Sequence, residues 1–238
     1  MDFRIALYCL IALCSSHGVK SAVFTVENNC RFTIWPAILT GRGGAVLSGF
    51  ELAPRAAQSV AVAPPWSGRV WGRYNCKNNG TFVCDSGDCV TGKIPCDTAG
   101  GIPPVTLVEF TLAGADNKDF FDVSLVDGFN LPVAVAPSRR SCPPTSCPAD
   151  VNSGCPAEFA VRGGDGNVVG CKSACVALNQ PEYCCSGEFS TPEKCPPTKY
   201  SMMFKRQCPQ AYSYAYDDAT STFTCPNGGD YRITFCPN

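Results

Sequence analysis

Two carboxylates, Glu109 and Asp122, stand in neighbouring segments whose apolar residues alternate along the chain. If 113–118 forms the turn of a hairpin, the alternation places every apolar residue of both strands on one face. The facing pairs are then Val108 with Val123 and Phe110 with Phe121. The same register sets Glu109 across from Asp122 on the other face, with Cβ atoms about 4.5 to 5.5 Å apart. Repulsion raises the pKa of one acid, which can then hold a proton near neutral pH.

A proton-holding acid beside an ionised carboxylate is the pair that glycoside cleavage requires, and carboxylate oxygens also accept hydrogen bonds from sugar hydroxyls. A separation near about 5 Å suits retention of configuration, and one of about 7 to 9 Å suits inversion. Asp127, at the Asp-Gly turn after the second strand, can add a third carboxylate. The alternative is that these acids are solvated, or are partners of Arg69 and Arg73.

Histidine chemistry is excluded by an N-terminal segment that reads as a cleaved secretory signal. Residues 1–22 combine Arg4, a ten-residue apolar run at 5–14 and a cleavage site near Ala22. The run is too short to cross a bilayer. The segment contains His17, the only histidine of the chain, so the mature protein has no catalytic triad, histidine base or histidine-ligated zinc.

Cysteine content predicts an oxidised, cross-linked domain. Of the 18 cysteines, Cys9 and Cys14 fall in the signal, which leaves sixteen and predicts eight disulfides in a secreted protein. Zinc ligation by cysteine alone is therefore rejected, and no metal or cofactor is expected. A formal charge of −1 disfavours nucleic acid and anionic membranes as partners. The glycine-rich stretches lack the Gly-Lys-Ser/Thr of a phosphate loop.

Short apolar runs between Gly, Pro and Asn predict a mainly β fold, an antiparallel sandwich or barrel. An Asn-Gly pair at 227–228 predicts a hairpin between the last two strands. Short helices are expected at 173–178 and 200–208. The predicted strands are 23–27, 31–39, 58–62, 69–74, 105–112, 119–126, 131–135, 221–225 and 231–235.

The run Gly80-Thr-Phe-Val-Cys84-Asp-Ser-Gly-Asp-Cys89-Val-Thr-Gly-Lys-Ile-Pro-Cys96 closely resembles the signature of the thaumatin-like family, with Ser86 where Thr is usual. The resemblance covers essentially all of residues 23–238. It includes the order of all sixteen cysteines and further segments. These segments are Val70–Arg73, Pro104–Phe110, Asp119–Pro132, Tyr183–Cys185, Ala211–Tyr214 and Ser221–Cys225.

The resemblance implies a flattened sandwich of about eleven strands, with a cleft, often acidic, between the sandwich and a disulfide-rich lobe. It divides the chain into signal peptide 1–22 and one domain, 23–238. Within the domain, the sandwich core takes about 23–75, 97–141 and 209–238, a small looped subdomain 76–96, and the lobe 142–208. The implied pairs are Cys30–Cys236, Cys76–Cys84, Cys89–Cys96, Cys142–Cys225, Cys147–Cys208, Cys155–Cys171, Cys175–Cys184 and Cys185–Cys195.

Related proteins carry one Arg, one Glu and three Asp in the cleft, and this pattern implies five positions here. They are Arg73, with Arg69 the less favoured arginine, Glu109, Asp122, Asp127 and Gln210. Gln210 replaces the usual third Asp, which weakens the acidic potential and any glucan-cleaving activity. If catalysis occurs, Glu109 is assigned as the proton donor and Asp122 as the nucleophile or water-activating base, with Arg73 orienting them.

The resemblance implies a secreted, monomeric, pathogenesis-related defence protein of the plant extracellular space, the apoplast. It would act against fungi by binding cell-wall β-1,3-glucan or another wall polysaccharide, or by disturbing the fungal surface. A weak endo-β-1,3-glucanase and a non-enzymatic structural or stress protein of the wall are the alternatives. Asn79-Gly80-Thr81 is a sequon for N-glycosylation, with an unmodified turn asparagine as the alternative.

Overall fold

The structure, a computed structural model, describes residues 21–237. Alternating buried and exposed residues produce the strands, as in Ala22–Asn28, where every second side chain is buried. The strands are β1 Ala22–Asn28, β2 Trp35–Arg42, β3 Ala57–Val62, β4 Trp66–Asn78, β5 Phe82–Ser86, β6 Leu107–Leu112, β7 Lys118–Ser124, β8 Val133–Pro137, β9 Thr145–Cys147, β10 Ala160–Arg162, β11 Val168–Cys171, β12 Phe223–Pro226 and β13 Tyr231–Phe235.

Four short α-helices and three 3-10 turns complete the elements within 21–237. Thr198 begins the longest helix with a reciprocal capping box to Ser201, which satisfies free N–H groups of the first turn. Ser173 caps the first helix through the N–H of Val176. The helices are α1 Ala174–Leu178, α2 Pro181–Cys184, α3 Lys199–Gln207 and α4 Asp218–Ser221, and the 3-10 turns are Ala115–Asn117, Val151–Gly154 and Gly187–Phe189.

Two sheets form the sandwich and together hold eleven strands, in agreement with the expected fold class. The five-stranded sheet has the order β3-β1-β13-β8-β9. The six-stranded sheet has the order β12-β7-β6-β4-β2, and its sixth strand, β5, pairs with the end of β4. β10 pairs with β11 in a separate hairpin. Between the strands of residues 21–237, all pairings are antiparallel except that of β1 with β13, which run parallel.

Aromatic rings fill the space between the two sheets. Phe24 of β1 packs on Phe110 of β6 with ring centroids 4.4 Å apart, and Tyr231 of β13 meets Phe110 edge-on at 5.0 Å. Phe121 of β7 lies within 6.0 Å of Phe110. These inward residues fix the register of β6 and β7, since a slip of one position would expose all of them.

The outward face of the six-stranded sheet is partly covered by residues 86–105. Trp71 packs there in a second apolar cluster with Cys89, Cys96 and Leu107. Its indole N–H donates to Gly87 O at 2.9 Å. The rest of this outward face, around Ser67–Arg69 of β4, is open and carries the candidate site.

The eight disulfides are the eight pairs that the family resemblance implied. Cys30–Cys236 joins the parallel strands β1 and β13 just beyond their ends. Nine cysteines fall within 142–208, where strands are short and three of the four α-helices lie. Covalent links there replace the apolar burial that such a segment lacks.

The hairpin predicted at Asn227-Gly228 is wrong. β12 pairs with β7 in one sheet, whereas β13 pairs with β1 and β8 in the other. The chain therefore turns at Asn227 and Gly228, both at positive φ, to cross between sheets. An Asn-Gly pair favours a tight turn, but the strands that leave it need not pair with each other.

Other boundaries differ by a few residues. β2 begins at Trp35 rather than 31, because Asn28 bonds the backbone of Phe32 and Leu52 and the chain turns before the strand. Residues 218–221 form α4, so β12 begins at Phe223 rather than 221. The predicted signal, 1–22, lies outside the described residues except for its last two. No helix within 21–237 is long and apolar enough to cross a membrane.

Candidate functional site

Glu109 and Asp122 lie directly opposite each other on β6 and β7, so the register predicted from the sequence is confirmed. Val108 opposes Val123 and Phe110 opposes Phe121 in the same ladder. The apolar pairs point into the core, and the two acids therefore point to the outward face. Hydrophobic alternation alone positions this pair.

Arg69, on the adjacent strand β4, completes the group. It pairs with Glu109 in the β4–β6 ladder, and its Nε lies 3.0 Å from Glu109 Oε1. The Arg69 side chain is 51% exposed and that of Glu109 34% exposed, so the ion pair faces solvent on one side. The guanidinium thus neutralises one of the two neighbouring acids.

Arg73, the arginine favoured from the sequence, is buried away from these acids. Its guanidinium donates to Trp35 O at 2.9 Å and to Ile94 O at 2.6 Å, beneath the looped segment 86–97. It also lies 5.3 Å from the centre of the Phe82 ring. Arg73 therefore joins β4 to the small looped subdomain. The arginine beside Glu109 is Arg69, the one less favoured from the sequence.

An open groove of about 560 Å³ surrounds the acid pair, a size that holds a few sugar units. We call it the acidic groove. Gly68 in its floor is required because a Cβ there would lie 2.3 Å from Leu39 O. The lining residues are Leu39, Gly41, Ser67, Gly68, Arg69, Glu109, Phe110, Thr111, Phe120 and Asp122.

The acidic groove is built entirely from β2, β4, β6 and β7. The resemblance implied a cleft between sandwich and lobe, yet no residue of 142–208 lines this groove. Asp127 and Gln210 do not line it either. The Asp127 charge nevertheless raises the pKa of Glu109, which places the two acids near each other, whereas Gln210 lies exposed in the turn after α3.

The segment after Gln210 contributes residues that the sequence did not single out. Two backbone hydrogen bonds join Tyr212 to β7 and the residue just after it. The Tyr212 N–H donates to Val123 O, and the Leu125 N–H donates to Tyr212 O, each at 2.8 Å. Its hydroxyl donates to Asp218 Oδ1 at 2.9 Å. The same hydroxyl lies within hydrogen-bonding distance of Thr222 Oγ1, just before β12, whose Phe223 pairs with Phe121 of β7.

Asp218 thus brings a carboxylate to the neighbourhood of Asp122, although it does not occupy the motif position of Gln210. The only sequence signal for it is the Asp-Asp pair at 217–218, shortly after the motif. Its placement depends on Tyr212 docking on β7, a contact between residues far apart in sequence. A local pattern cannot reveal such a contact.

Lys205 of α3 braces this segment from behind. Its Nζ lies 2.9 Å from Asp217 Oδ2 and donates to Ser221 Oγ at 2.9 Å and to Ala211 O at 3.1 Å. Asp217 also accepts the N–H of Ser213 at 3.0 Å. The side chains of Lys205 and Asp217 are 15% and 11% exposed. This pair fixes the segment that carries Tyr212 and Asp218.

The surroundings raise the pKa of all three predicted acids. Burial, followed by the charges of Glu109 and Asp218, raises the pKa of Asp122 to about 8. Burial also raises the pKa of Glu109, and Arg69 opposes that rise. The pKa of Asp127 is raised by burial and lowered in part by Arg69. Asp122 Oδ1 is buried and has no hydrogen-bond partner among the described residues.

The arrangement can hold a proton on Asp122 beside a Glu109 carboxyl that pairs with Arg69. A carboxylate can accept hydrogen bonds from hydroxyl groups of a ligand in the groove, and a protonated carboxyl can also donate one to them. No cluster of metal-ligating side chains occurs within 21–237. Asn79 lies exposed at the tip of the β4–β5 hairpin, where a glycosylating enzyme can reach it.

Comparisons with known proteins agree with the fold. The family model described as "Thaumatin family" matches residues 28–237. Thaumatin-like protein 1 of Pyrus pyrifolia is 55% identical, over the full length of both chains. A protein of Prunus avium named glucan endo-1,3-beta-glucosidase is 47% identical over 98% of each chain. A laminaripentaose-producing beta-1,3-glucanase in complex with laminaritetraose superposes with a TM-score of 0.59 at 12% identity, covering 90% of this chain and 98% of that one.

Proposed function

Because this chain belongs to the thaumatin family, we propose that it is a secreted defence protein that binds β-1,3-glucan of fungal cell walls in the acidic groove. The observation that carries the proposal is the Glu109–Asp122 pair, whose two residues line the open groove. A glucan hydroxyl would bond to the partly exposed carboxylate of Glu109. The 47% identical relative named as a glucan endo-1,3-beta-glucosidase supports β-1,3-glucan as the polysaccharide.

Binding without cleavage is the primary proposal. The groove is open, and Arg69 already occupies one side of Glu109. As a monomeric protein of the plant apoplast, it would meet glucan at the fungal surface. Sixteen cysteines joined in eight pairs suit an oxidising exterior.

A weak endo-β-1,3-glucanase is the second candidate, because cross-strand neighbours stand at about the separation that retaining enzymes use. The strongly raised pKa of Asp122 and the ion pair of Glu109 with Arg69 favour the reverse of the roles first assigned. Asp122, with its pKa raised to about 8, would donate the proton. Glu109, held by Arg69, would be the ionised nucleophile.

A pull-down on insoluble β-1,3-glucan, combined with a reducing-sugar assay, separates these functions. For a binding protein we expect retention on the glucan, no sugar release, and weaker retention of Asp122→Asn. For a glucanase we expect sugar release that both Asp122→Asn and Glu109→Gln abolish. If the protein at about micromolar concentration is not retained on the glucan and releases no sugar, both functions are rejected, and a structural or stress role in the wall is left.

A further inference from the structure

A second pocket lies near the start of β2, and none of its lining residues belongs to the acidic groove. Its volume is about 430 Å³, large enough for one or two sugar rings. We call it the aromatic pocket. Its lining residues are Phe32, Thr33, Trp35, Tyr74, Asn75, Cys76, Asp165, Asn167, Val168 and Val169.

Three aromatic side chains line the pocket, Phe32, Trp35 and Tyr74. The rings of Phe32 and Tyr74 pack against each other, with centroids 5.4 Å apart and planes tilted by 33°. Phe32 is 43% exposed, which is unusual for a phenylalanine in a chain that buries most of its aromatic rings. The Tyr74 hydroxyl donates to Val169 O at 2.9 Å, which fixes the ring in place.

Polar groups also line the pocket. Asp165 accepts the backbone N–H of Asn167 at 3.0 Å and its side-chain N–H at 2.8 Å, so the turn between β10 and β11 holds the carboxylate still. The neighbouring Gly164 N–H donates to Asp85 at 3.0 Å, which ties this turn to β5. Trp35 Nε1 is a buried donor without a partner among residues 21–237.

A pocket lined by aromatic rings and by fixed polar acceptors matches the apolar and polar groups of a pyranose ring. The axial C–H groups of a sugar cover an aromatic face, and its hydroxyls reach carboxylate and amide groups at the rim. We propose that the aromatic pocket is a second, separate binding site for a neutral oligosaccharide. The choice of β-1,3-glucan as the first probe rests on the proposed function, but the site itself does not.

Trp35 makes the proposal testable by fluorescence. The chain has three tryptophans, and Trp66 and Trp71 are 1% and 0% exposed, so Trp35 is the one that a quencher can reach. The acidic groove has no tryptophan in its lining. Protection of tryptophan fluorescence from acrylamide therefore reports the aromatic pocket and not the groove.

The experiment titrates folded, oxidised protein carrying Asn79→Gln, so that a glycan of its own cannot fill the pocket. The probes are the β-1,3-glucose hexasaccharide, cellohexaose, chitotetraose and phenol. We expect saturable protection by a sugar, weakened about three- to tenfold by Phe32→Ala. Leu47→Ala is the matched control, because Leu47 is 44% exposed and lies outside the pocket. Circular dichroism checks that each variant is folded.

The outcomes separate the two sites. Unchanged protection in Glu109→Gln supports an independent pocket, whereas lost protection would mean that the sugar acts through the groove and would overturn the proposal. Protection by cellohexaose or chitotetraose but not by the β-1,3-glucan would support the pocket and argue against glucan as the ligand. Protection by none of the sugars at about 10 mM, by phenol alone, or to the same extent in Phe32→Ala, would reject it.

Discussion

At the scale of single residues, the charge state of Asp122 decides what the acidic groove can do. Burial is the largest cause of its raised pKa, and the charges of Glu109 and Asp218 act in the same direction. Arg69 opposes them, but its direct partner is Glu109. Burial therefore raises the pKa of both facing acids, and the direct ion pair with Arg69 opposes that rise at Glu109.

Asp122→Asn should flatten the dependence of stability on pH. An unfolded aspartate has a pKa of about 3.9, whereas burial and the neighbouring charges raise the pKa of Asp122 in the folded protein to about 8. Between these values the folded state binds more protons, so the free energy of unfolding falls as pH rises. We expect the free energy of unfolding of Asp122→Asn to equal that of the wild type at about pH 4 and to exceed it by about 1 to 3 kcal/mol at about pH 8.

Urea unfolding across that pH range measures the effect. Asp116→Asn is the control, because the Asp116 side chain is 80% exposed and should leave the wild-type slope intact. An Asp122→Asn variant that loses stability with pH as steeply as the wild type would contradict the prediction.

Asp218→Asn should lower the pKa of Asp122, because it removes one of the two negative charges that raise it. A fall of up to about one unit is expected, and burial should keep the pKa above its ordinary range. A carbon-detected NMR titration of the Asp122 carboxyl measures it directly. Asp97→Asn serves as the comparison, and an equal pKa in both variants would show that the Asp218 charge has no influence.

At the scale of elements, the site depends on a strand ladder and a braced segment. The ladder β4-β6-β7 sets Arg69, Glu109 and Asp122 side by side, and α3 holds the segment 211–222 against β7 through Lys205. Neither part forms the complete site alone, because Asp218 and Tyr212 lie near Asp122 only when the segment 211–222 is packed against β7.

Lys205→Met should loosen this brace. The change leaves Asp217 nearly buried without its cation, and we expect a loss of about 2 to 4 kcal/mol at neutral pH. The Tyr212 amide should also exchange its hydrogen faster. Adding Asp217→Asn should recover part of the lost stability, since the unpaired charge is then gone. Urea unfolding and hydrogen exchange test both effects, and full stability in Lys205→Met would contradict them.

The sequence predicts the elements whose information is local. The β6–β7 register follows from alternating apolar residues, because one buried face permits only one pairing. The choice between Arg69 and Arg73 does not follow, since both fall on the same face of β4 and only the looped segment 86–97 decides which is covered. The hairpin predicted at 227–228 is wrong for a similar reason, because local residues specify the turn but not the sheets that its flanking strands join.

At the scale of the whole molecule, the disulfides differ in what they constrain. Cys30–Cys236 spans 206 residues, and Cys76–Cys84 spans only eight. A link that closes a longer loop removes more conformational freedom from the unfolded chain. The long link should therefore stabilise the fold more than the short one.

Replacing both members of one pair by serine tests this. We expect removal of Cys30–Cys236 to cost about 2 to 3 kcal/mol more than removal of Cys76–Cys84, as measured by guanidinium unfolding. The comparison is matched for burial, because Cys30 and Cys84 are 3% and 6% exposed. Equal losses would show that native contacts, rather than loop length, determine the contribution.

The parallel pairing of β1 with β13 has a consequence for biosynthesis. The middle strand of the five-stranded sheet, between β1 and β8, is the last strand along the chain to be made. Until residues 231–235 leave the ribosome, β1 and β8 lack their common partner, and the backbone N–H and C=O groups that face it stay unpaired. This sheet can therefore form only once translation has passed its final strand.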